Sequence, residues 1–381
     1  MNTPATPRPV CLFLVNGLGM GNSTRCYAVI EELVARGVIV HVATSGNGLT
    51  YFQGKPSLAS ITPVEAFFYR NARRGVSAWR TLFAVGKLAG IAARKSRQLD
   101  ALLERVKPDV VVTDSEYTLG PMRRHRIPVA AINNSDVVVT ECRDGRPVPY
   151  DVRSHLWIVE YMDYLFHRTQ CAVVISPSAK PHPPPHPRLR RVGLILRRSV
   201  LERVPAQDVI RPPSTARNVL FMLSGSVFAS AVPMSGAHLP FKIHVVGREG
   251  QNQDNIEYHG KLMDNIGCLM AADVIVLNGG FSAVSEALAL RKPAFVIPVP
   301  RHAEQFVNAR TVADLGIGYV VNEHNVIDQM TAHWAADQWA GFAPTKPLTG
   351  YDGAREAAEI IIETAAKRAG SAAQGRPGSQ P

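Results

Sequence analysis

Residues 274–320 limit the possible folds of this chain more than any other stretch of the sequence. They begin with an apolar run of strand length at 274–277, pass through the glycine pair Gly279 and Gly280 into a helical segment, and reach a second apolar run at 294–298. Backbone N–H groups and the positive end of a helix dipole converge at a glycine turn placed in this way. The stretch therefore predicts an α/β unit that holds a phosphate or diphosphate at the start of its helix.

The start of the chain repeats this pattern. The apolar run 10–15 is followed by the glycine loop 16–21 (NGLGMG), a helical segment and a second apolar run at 38–43. A strand, a glycine loop, a helix and a strand in succession predict a βαβ unit of a parallel sheet. Since 381 residues are too many for one ordinary domain, the two units predict two α/β domains.

The opening glycine loop departs from the dinucleotide-binding fingerprint. That fingerprint has a third glycine where this sequence has Asn22, and an acidic residue after the second strand where it has Thr44 and Ser45. The sequence therefore argues against an NAD-dependent dehydrogenase.

Composition excludes several other classes of protein. With 46% hydrophobic and 19% charged residues, the chain is globular and neither disordered nor coiled-coil. No uncharged apolar run reaches the roughly 18 residues of a membrane-spanning helix, and the short N-terminal apolar run is typical of a strand, not of a signal peptide. Five cysteines without paired metal-ligand spacing indicate reduced, buried thiols. We therefore expect a cytoplasmic protein.

The positive charge is concentrated in the first part of the chain. The net charge is +11, and residues 1–150 carry 19 Lys/Arg against 11 Asp/Glu. Ten of these basic residues fall in or beside the helical stretch 67–107, which has only two acids. An amphipathic helix packed on its own domain explains this stretch, and peripheral contact with an anionic membrane is the alternative. No aromatic-plus-basic motif indicates nucleic acid, so we expect no nucleic-acid partner.

The second half of the chain resembles a known signature. The glycine turn at Gly279 and Gly280, Glu286 on the following helix, and the loop that carries His302, Glu304, Gln305 and Asn308 resemble the nucleotide-sugar signature of GT-B glycosyltransferases, in particular the MurG-like branch. The resemblance is continuous from about residue 191 to 318. It implies an α/β fold of two Rossmann-like domains, with parallel sheets facing across a cleft.

The resemblance and the composition together predict the domain boundaries. Residues 1–190 form an N-terminal acceptor-binding domain, and the proline-rich segment at about 177–192 connects it to the second domain. Residues 191–348 form the nucleotide-sugar-binding domain. Residues 349–367 form a closing helix, and the tail 368–381, which is poor in apolar residues, is expected to be disordered.

The resemblance also implies roles for individual donor-site residues. Glycine-turn residues and neighbours would hold the diphosphate, Glu286 would accept both ribose hydroxyls, and Glu304 with Gln305 would hold the sugar hydroxyls. Met263 falls in the loop that reads the uracil edge with main-chain groups. The remaining donor-site residues are Arg197, Ser226, Gly279, Gly280 and Ser282 on the phosphates, Gly21 in the loop that faces the cleft, His302 in the loop after the second strand, and Asn308 at family spacing.

The catalytic base departs from the family pattern, because the family's loop ends in Gly-His and this chain has Gly21-Asn22. An asparagine side chain cannot accept a proton at neutral pH. Polar clusters at the ends of predicted strands should face the cleft, so we expect Asp114 or Glu116 to serve as base, ahead of Asp136. The alternative is helix capping, which explains Asp114 and Ser135 without chemistry.

These features predict a metal-independent, inverting glycosyltransferase that uses a nucleotide-diphosphate sugar, with UDP as the first choice of nucleotide. No Asp-x-Asp metal motif is present, and the helix dipole and N–H donors would replace Mg²⁺, so no metal or cofactor is expected. The acceptor is unidentified, with an anionic or lipid-linked compound as one alternative. A UDP-sugar hydrolase of the nonulosonate-pathway type, whose opening also contains Arg-Cys as in Arg25-Cys26, and a non-catalytic nucleotide-sugar binder are the alternatives.

Overall fold

The computed structural model describes residues 8–17, 19–65, 78–205, 218–223, 232, 238–335 and 348–374. Within these ranges the strands form two separate sheets, one of seven strands and one of six. All of the strand pairs in both sheets are parallel.

The first sheet has the strand order β3-β2-β1-β4-β5-β6-β7. Its strands are β1 (Val10–Val15), β2 (Ile39–Thr44), β3 (Ser60–Pro63), β4 (Val110–Asp114), β5 (Val129–Ile132), β6 (Val173–Pro177) and β7 (Leu189–Val192). The central strands are continuous apolar runs that are buried on both faces, as expected for a parallel sheet covered by helices on both sides.

The helices of the first domain connect these strands. They are α1 (Met20–Ala35), α2 (Asn47–Phe52), α3 (Ala78–Val106), α4 (Gly120–Arg124), α5 (Ser135–Glu141), α6 (Tyr150–His155) and α7 (Tyr161–Gln170). A π-helical segment, Leu156–Glu160, joins α6 directly to α7. Single π-helical turns of this kind occur often at functional sites.

The second sheet has the strand order β10-β9-β8-β11-β12-β13. Its strands are β8 (Asn218–Met222), β9 (Lys242–Val246), β10 (Ile256–Tyr258), β11 (Val274–Leu277), β12 (Ala294–Val296) and β13 (Gly318–Val320). The helices of this part are α8 (Arg198–Leu201), α9 (Ile266–Ala271), α10 (Phe281–Ala289), α11 (Ala303–Asp314) and α12 (Val326–Ala335), and a final helix α13 spans Gly353–Gln374.

Both sheets have the doubly wound order in which the chain starts in the middle and moves outward in each direction. This order is that of Rossmann-like domains, so the predicted fold class of two such domains is confirmed. The strand predicted at 274–277 is β11 and the glycine turn leads into α10, as the sequence indicated. Ligands bind such sheets at the carboxyl ends of the strands, where the strand order reverses.

Two segments differ from the expected boundaries. Residues 189–192, expected in the connecting segment, form strand β7 and pair with β6. Arg191 on β7 donates a hydrogen bond to Asp136 on α5 at 2.8 Å. This bond attaches β7 to α5, so Asp136 contributes to the packing of the first domain. The helix α13 continues to Gln374, so residues 368–374 are helical and not a disordered tail. Residues 375–381 lie outside the described part of the chain.

The helix α13 packs on the first domain, although it follows the second domain in the sequence. Its residues Ala354, Ala357 and Ile361 are buried in the same apolar cluster as β1 and α1. The two connections between the domains meet where Leu194 N–H donates to the Gly350 carbonyl at 2.9 Å. A Cβ atom on Gly193 would lie 2.8 Å from that carbonyl oxygen, so a residue larger than glycine there would separate the two connections.

Helix α11 of the second domain contacts the first domain directly. Ala303 and Val307 share a buried apolar cluster with residues of α5 and α6. At the other end of α11, Asp314 accepts hydrogen bonds from Arg146 at 2.7 Å and Lys180 at 2.9 Å. None of the helices in the described part of the chain combines the length and the apolar character needed to span a bilayer.

Candidate active site

The glycine turn after β11 has the geometry that the sequence predicted for it. Gly279 has φ +76°, and a Cβ atom there would lie 2.9 Å from the Gln305 carbonyl oxygen. Only glycine fits both the left-handed conformation and this close approach. Asn308, which is 5% exposed, donates its side-chain N–H to the Gly279 carbonyl at 2.9 Å. Asn308 therefore stabilises the turn.

The start of helix α10 faces the glycine loop of the first domain. Gly280 is the residue before the helix, and its extended backbone leads into a first turn without a side-chain cap in the described structure. Ser282 in that turn donates its hydroxyl to the Gly21 carbonyl across the cleft at 3.2 Å. The two glycine loops of the chain thus meet at one helix N-terminus, which is an anion-binding arrangement.

Arg197 and Glu286 contact each other beside this turn. The Arg197 guanidinium donates to the two carboxylate oxygens of Glu286 at 2.7 and 3.1 Å. It also donates to Asp264 at 2.9 Å and to Asn265 at 2.6 Å. Burial raises the pKa of Glu286, and the guanidinium of Arg197 opposes this rise. The residues predicted for phosphate and ribose are therefore neighbours, and Met263, which is 49% exposed, precedes Asp264 in the same loop.

Glu304 and Gln305 lie in the first turn of helix α11 and make different contacts. Gln305 accepts a hydrogen bond from the Val299 N–H at 2.9 Å and so closes its own loop. Glu304 faces the first domain, where Asn134 forms a hydrogen bond with its carboxylate and Arg25 lies nearby. Burial raises the pKa of Glu304, and the carboxylate of Asp114 adds to this effect. Glu304 of the second domain therefore lies beside Asn134 and Arg25, near the carboxyl ends of the first-domain strands.

His302 precedes α11 and lies against the first domain. Its ring stacks on that of His155, with centroids 4.8 Å apart and planes 30° apart. Burial lowers the pKa of His302. Burial and the neighbouring His302 lower the pKa of His155 to about 4, so both rings are neutral at pH 7.

Asp114, one of the two predicted bases, is fully buried in an ion pair. Arg25 on α1 donates from Nε at 2.9 Å and from Nη2 at 2.7 Å to its two oxygens. The Cys26 thiol and the Ser115 hydroxyl also donate to Asp114, at 3.4 and 3.2 Å. The exposed fraction of Asp114 is 0% and that of Arg25 is 7%. Every oxygen of this carboxylate therefore already accepts hydrogen bonds.

Glu116, the other predicted base, has a similar environment. Lys95 on α3 lies 2.5 Å from its Oε2, and the two side chains are 1% and 7% exposed. Its Oε1 accepts the N–H of Tyr117 at 3.1 Å and the hydroxyl of Thr118 at 3.3 Å. Both carboxylates thus fix the loop after β4.

The remaining predicted residues lie where the glycine loops meet or outside the described residues. Asn22 is in the first turn of α1, directly after Gly21, and its side chain is partly exposed. Ser226 lies outside the described residues, as do the residues 67–77 of the basic stretch. The rest of that stretch forms most of α3.

Several residues at this site have no motif that singles them out for it. Arg25 follows the opening glycine loop in the Arg-Cys dipeptide, and Asn134 lies in the polar segment after β5. His155 and Glu160 belong to α6 and the π-helical segment, where neither spacing nor composition distinguishes them. The signal that places all four in the site is three-dimensional, because each contacts a residue far away in the sequence.

Comparison with protein families identifies one family over most of the chain. The model described as glycosyl transferase family 1 matches residues 10–335. An uncharacterized glycosyltransferase of Methanosarcina acetivorans is 25% identical over 341 residues, covering 82% of this chain and 85% of that protein. A second relative, from Methanopyrus kandleri and also named an uncharacterized glycosyltransferase, is 26% identical but covers only 45% of this chain and 54% of that protein.

Other relatives have more specific names. A UDP-N-acetylglucosamine–N-acetylmuramyl-(pentapeptide) pyrophosphoryl-undecaprenol N-acetylglucosamine transferase of Paracidovorax citrulli is 25% identical, covering 83% of this chain and 85% of that protein. Among solved structures, Acinetobacter baumannii MurG has a TM-score of 0.58 at 18% identity, covering 94% of this chain and 100% of that one. The glycosyltransferase VinC in complex with DTDP has a TM-score of 0.54 at 14% identity, covering 96% of this chain and 100% of that one. The structural matches confirm the GT-B arrangement of the two domains.

Proposed function

Because this chain belongs to glycosyl transferase family 1, and is therefore a glycosyltransferase, we propose that it moves a sugar from a nucleotide-diphosphate sugar to an acceptor hydroxyl, with inversion and without a metal ion. The observation that carries the proposal is the position of the α10 N-terminus. It lies opposite Gly21 of the first domain and beside Arg197 and Glu286.

The diphosphate is the group that this site suits best. As the bond to the sugar breaks, negative charge grows on the leaving diphosphate and must be stabilised. The first-turn N–H groups of α10, the Ser282 hydroxyl and the Arg197 guanidinium supply donors for that charge. Ser226 belongs to the same proposal from sequence. These donors make a divalent cation unnecessary for the leaving group in this mechanism.

The Arg197–Glu286 contact supports separate roles for the two residues when the donor binds. In the protein alone, the guanidinium satisfies a carboxylate that is only 6% exposed. A ribose offers two hydroxyl donors to that carboxylate, and a phosphate offers acceptors to that guanidinium. When the donor binds, Glu286 would exchange Arg197 for the ribose hydroxyls, and Arg197 would exchange Glu286 for a phosphate. Both side chains would therefore keep hydrogen-bond partners.

Residues at the start of α11 are our candidates for holding the sugar. Glu304 faces the cleft toward Asn134 and Arg25, where a sugar attached to a diphosphate at α10 would lie. Gln305 and His302 flank it. A carboxylate accepts hydrogen bonds from vicinal hydroxyls, which positions the anomeric carbon and fixes which face the acceptor approaches.

UDP is the proposed nucleotide, since the Paracidovorax citrulli relative is named for a UDP-N-acetylglucosamine donor. The complex of VinC with DTDP makes a thymidine diphosphate sugar the second candidate. Met263 and its loop are the proposed contact to the base.

Asp114 and Glu116 are retained as the candidate bases, and their contacts set a condition for that role. Arg25 and Lys95 form ion pairs with the two carboxylates, so donors of the first domain already occupy the oxygens that would take a proton. Either residue acts as base only if the ion pair opens when the acceptor binds. Asn22 then orients the acceptor hydroxyl by a hydrogen bond. We propose that the rate depends mainly on stabilising the leaving diphosphate.

The acceptor and the location of the protein are also proposals. An anionic or lipid-linked acceptor fits the basic character of residues 67–107, and a cytoplasmic protein with peripheral contact to the inner face of the membrane would reach it. A hydrolase and a non-catalytic binder are not favoured, because the family and its named relatives are glycosyltransferases.

The test compares UDP release from a panel of UDP-sugars with and without candidate acceptors. A transferase releases UDP much faster with its acceptor, whereas a hydrolase releases it equally fast without one. A thermal-shift screen over nucleotide sugars selects the donor beforehand. Stabilisation by no nucleotide sugar, or release that no acceptor accelerates, would contradict the proposal.

A further inference from the structure

We propose that His155, Glu160 and His302 form a binding site for a zinc-class transition-metal ion that links the two domains across the cleft. One ligand atom from each of the three residues lies within 4.8 Å of the others. His155 and Glu160 belong to the first domain, and His302 belongs to the second. Two imidazoles and one carboxylate are a ligand set that Zn²⁺ accepts, with a water completing a four-coordinate site.

The distances between the three residues suit one ion. His155 Nδ1 is 3.5 Å from Glu160 Oε1, and a tetrahedral zinc with bonds of about 2.1 Å separates its ligand atoms by about 3.4 Å. His155 Nδ1 also accepts the Ala303 N–H at 3.4 Å, a long hydrogen bond that the ion would replace. Two imidazoles bound to one such ion have ring centroids about 5 Å apart, and those of His155 and His302 are 4.8 Å apart. Ligand atoms that are up to 4.8 Å apart need to come closer together by as much as about 1.4 Å to reach that separation.

An unsatisfied polar atom provides independent support. His302 Nδ1 is buried and has no hydrogen-bond partner in the described structure. A buried polar atom without a partner costs free energy, and such atoms in folded proteins need an explanation such as a missing ion. A metal ion bound to the His302 ring would supply one.

A second cluster in the described residues lacks these features. His244, Glu257 and His259 also lie within metal-ligand distance of one another. Lys242 Nζ lies 2.6 Å from Glu257 Oε2. His244 Nδ1 and His259 Nε2 are 3.0 Å apart, which is within hydrogen-bond distance. This surface cluster thus contains a cation of its own and makes a matched control.

The experiment titrates Zn²⁺ into the full chain after treatment with a chelator, without donor or acceptor, and follows binding by calorimetry. Wild type should bind one equivalent. Since removal of an outer-shell partner alone costs roughly 10–100-fold in metal affinity, His155→Ala and His302→Ala should each weaken binding by more than that. His259→Ala should leave it unchanged. Absence of binding by wild type, unchanged binding in His155→Ala, or loss in His259→Ala would each overturn the proposal.

A second measurement does not depend on how the variants fold. X-ray absorption of the zinc-loaded wild type should show nitrogen and oxygen ligands only, with the multiple-scattering pattern of two imidazoles. A sulfur ligand, or a pattern without imidazole, would overturn the assignment. Zinc should also raise the Tm of wild type and not that of His155→Ala. Because no sugar transfer is measured, these results are independent of the proposed activity.

Discussion

Asp114 on one side of the cleft and Glu286 on the other are both carboxylates paired with an arginine, but their surroundings differ. Asp114 is fully buried and accepts four hydrogen bonds, two of them from Arg25. Glu286 contacts Arg197, which also reaches Asp264, a residue whose side chain is 61% exposed. One pair is enclosed by the first domain, whereas the other borders a loop open to solvent.

We infer from this difference that the Asp114–Arg25 pair stabilises the fold, whereas a bound ligand can replace the contact between Glu286 and Arg197. The first-domain face holds its charges in pairs that join strand ends to helices, as Lys95 and Glu116 do between α3 and the loop after β4. The second-domain face has the Arg197–Glu286 pair, which borders solvent, beside the N-terminus of α10. We therefore expect the second domain to supply most of the binding energy for the proposed donor.

The largest effect is expected from Asp114→Ala. Removing one partner of a buried ion pair leaves Arg25 charged and uncompensated, which costs about 3–5 kcal/mol. Urea unfolding should show this loss of stability. The double variant Asp114→Leu/Arg25→Met should recover much of it, because it removes both charges. An Asp114→Ala protein of normal stability and no activity would instead assign Asp114 to the chemistry.

Glu286→Ala should act on donor binding. Loss of two hydrogen bonds from ribose hydroxyls to a charged acceptor costs about 2–3 kcal/mol, or roughly 30- to 150-fold in affinity for UDP. Calorimetry with UDP measures this change directly. Glu257→Ala removes a surface carboxylate of the same domain and should leave UDP affinity unchanged. Equal affinity of Glu286→Ala and wild type would mean that Glu286 does not contact the donor.

The sequence predicts the features that depend on local backbone structure, namely strands, turns and helix termini. Gly279 and Gly280 follow an apolar run and precede a helix, so their turn, the α10 N-terminus and both sheets could be predicted from local patterns. The pairing of Arg25 with Asp114 could not be predicted, because it depends on the register of β1 with β4, which sets Val15 beside Asp114.

Asn308 has a contact that the resemblance did not predict. Its spacing predicts a donor contact, and the structure adds a contact that spacing did not predict, in which the Asn308 amide donates to the Gly279 carbonyl. His155 and Glu160 had no local signal at all, because they reach the site only when α11 of the second domain packs against α6.

A smaller effect is expected from Asn22→His, which gives the first-domain face a titratable group. If the loop at Gly21 faces the acceptor, the new imidazole should raise turnover about tenfold, equivalent to about 1.4 kcal/mol. The increase should appear as the pH rises through about 6.5, where a histidine loses its proton. Turnover should be measured between pH 5 and 8 beside wild type and Asn22→Gln. If turnover of Asn22→His varied with pH as that of Asn22→Gln does, the loop at Gly21 would take no part in the reaction.

The smallest effect concerns Asp314, where α11 meets the first domain. Burial raises its pKa, but hydrogen bonds from Arg146 and Lys180 outweigh this and lower the pKa from 3.8 to about 2. A depressed pKa adds stability above pH 3.8, and this stability is lost as the pH falls from about 4 to about 2. Solvent screening limits the contribution to about 1 kcal/mol or less.

The measurement for Asp314 is the unfolding free energy from pH 7 to pH 2.5. Asp314→Asn should be slightly less stable than wild type at pH 7 and should approach it at low pH. Asp352→Asn, at an exposed surface pair with Arg355, is the control and should follow wild type throughout. A constant difference between Asp314→Asn and wild type at all pH values would contradict the predicted titration.

The packing of α13 on the first domain affects the order in which the chain folds during synthesis. The apolar cluster beneath α1 includes residues from Val15 near the start of the chain and from Ala354 to Ala365 near its end. Domains generally fold as units while the ribosome extends the chain, beginning with the N-terminal one. Here the second domain can complete its core while the first still waits for α13. The domain that is synthesised first is therefore the last to be finished, and its apolar surface needs protection during elongation.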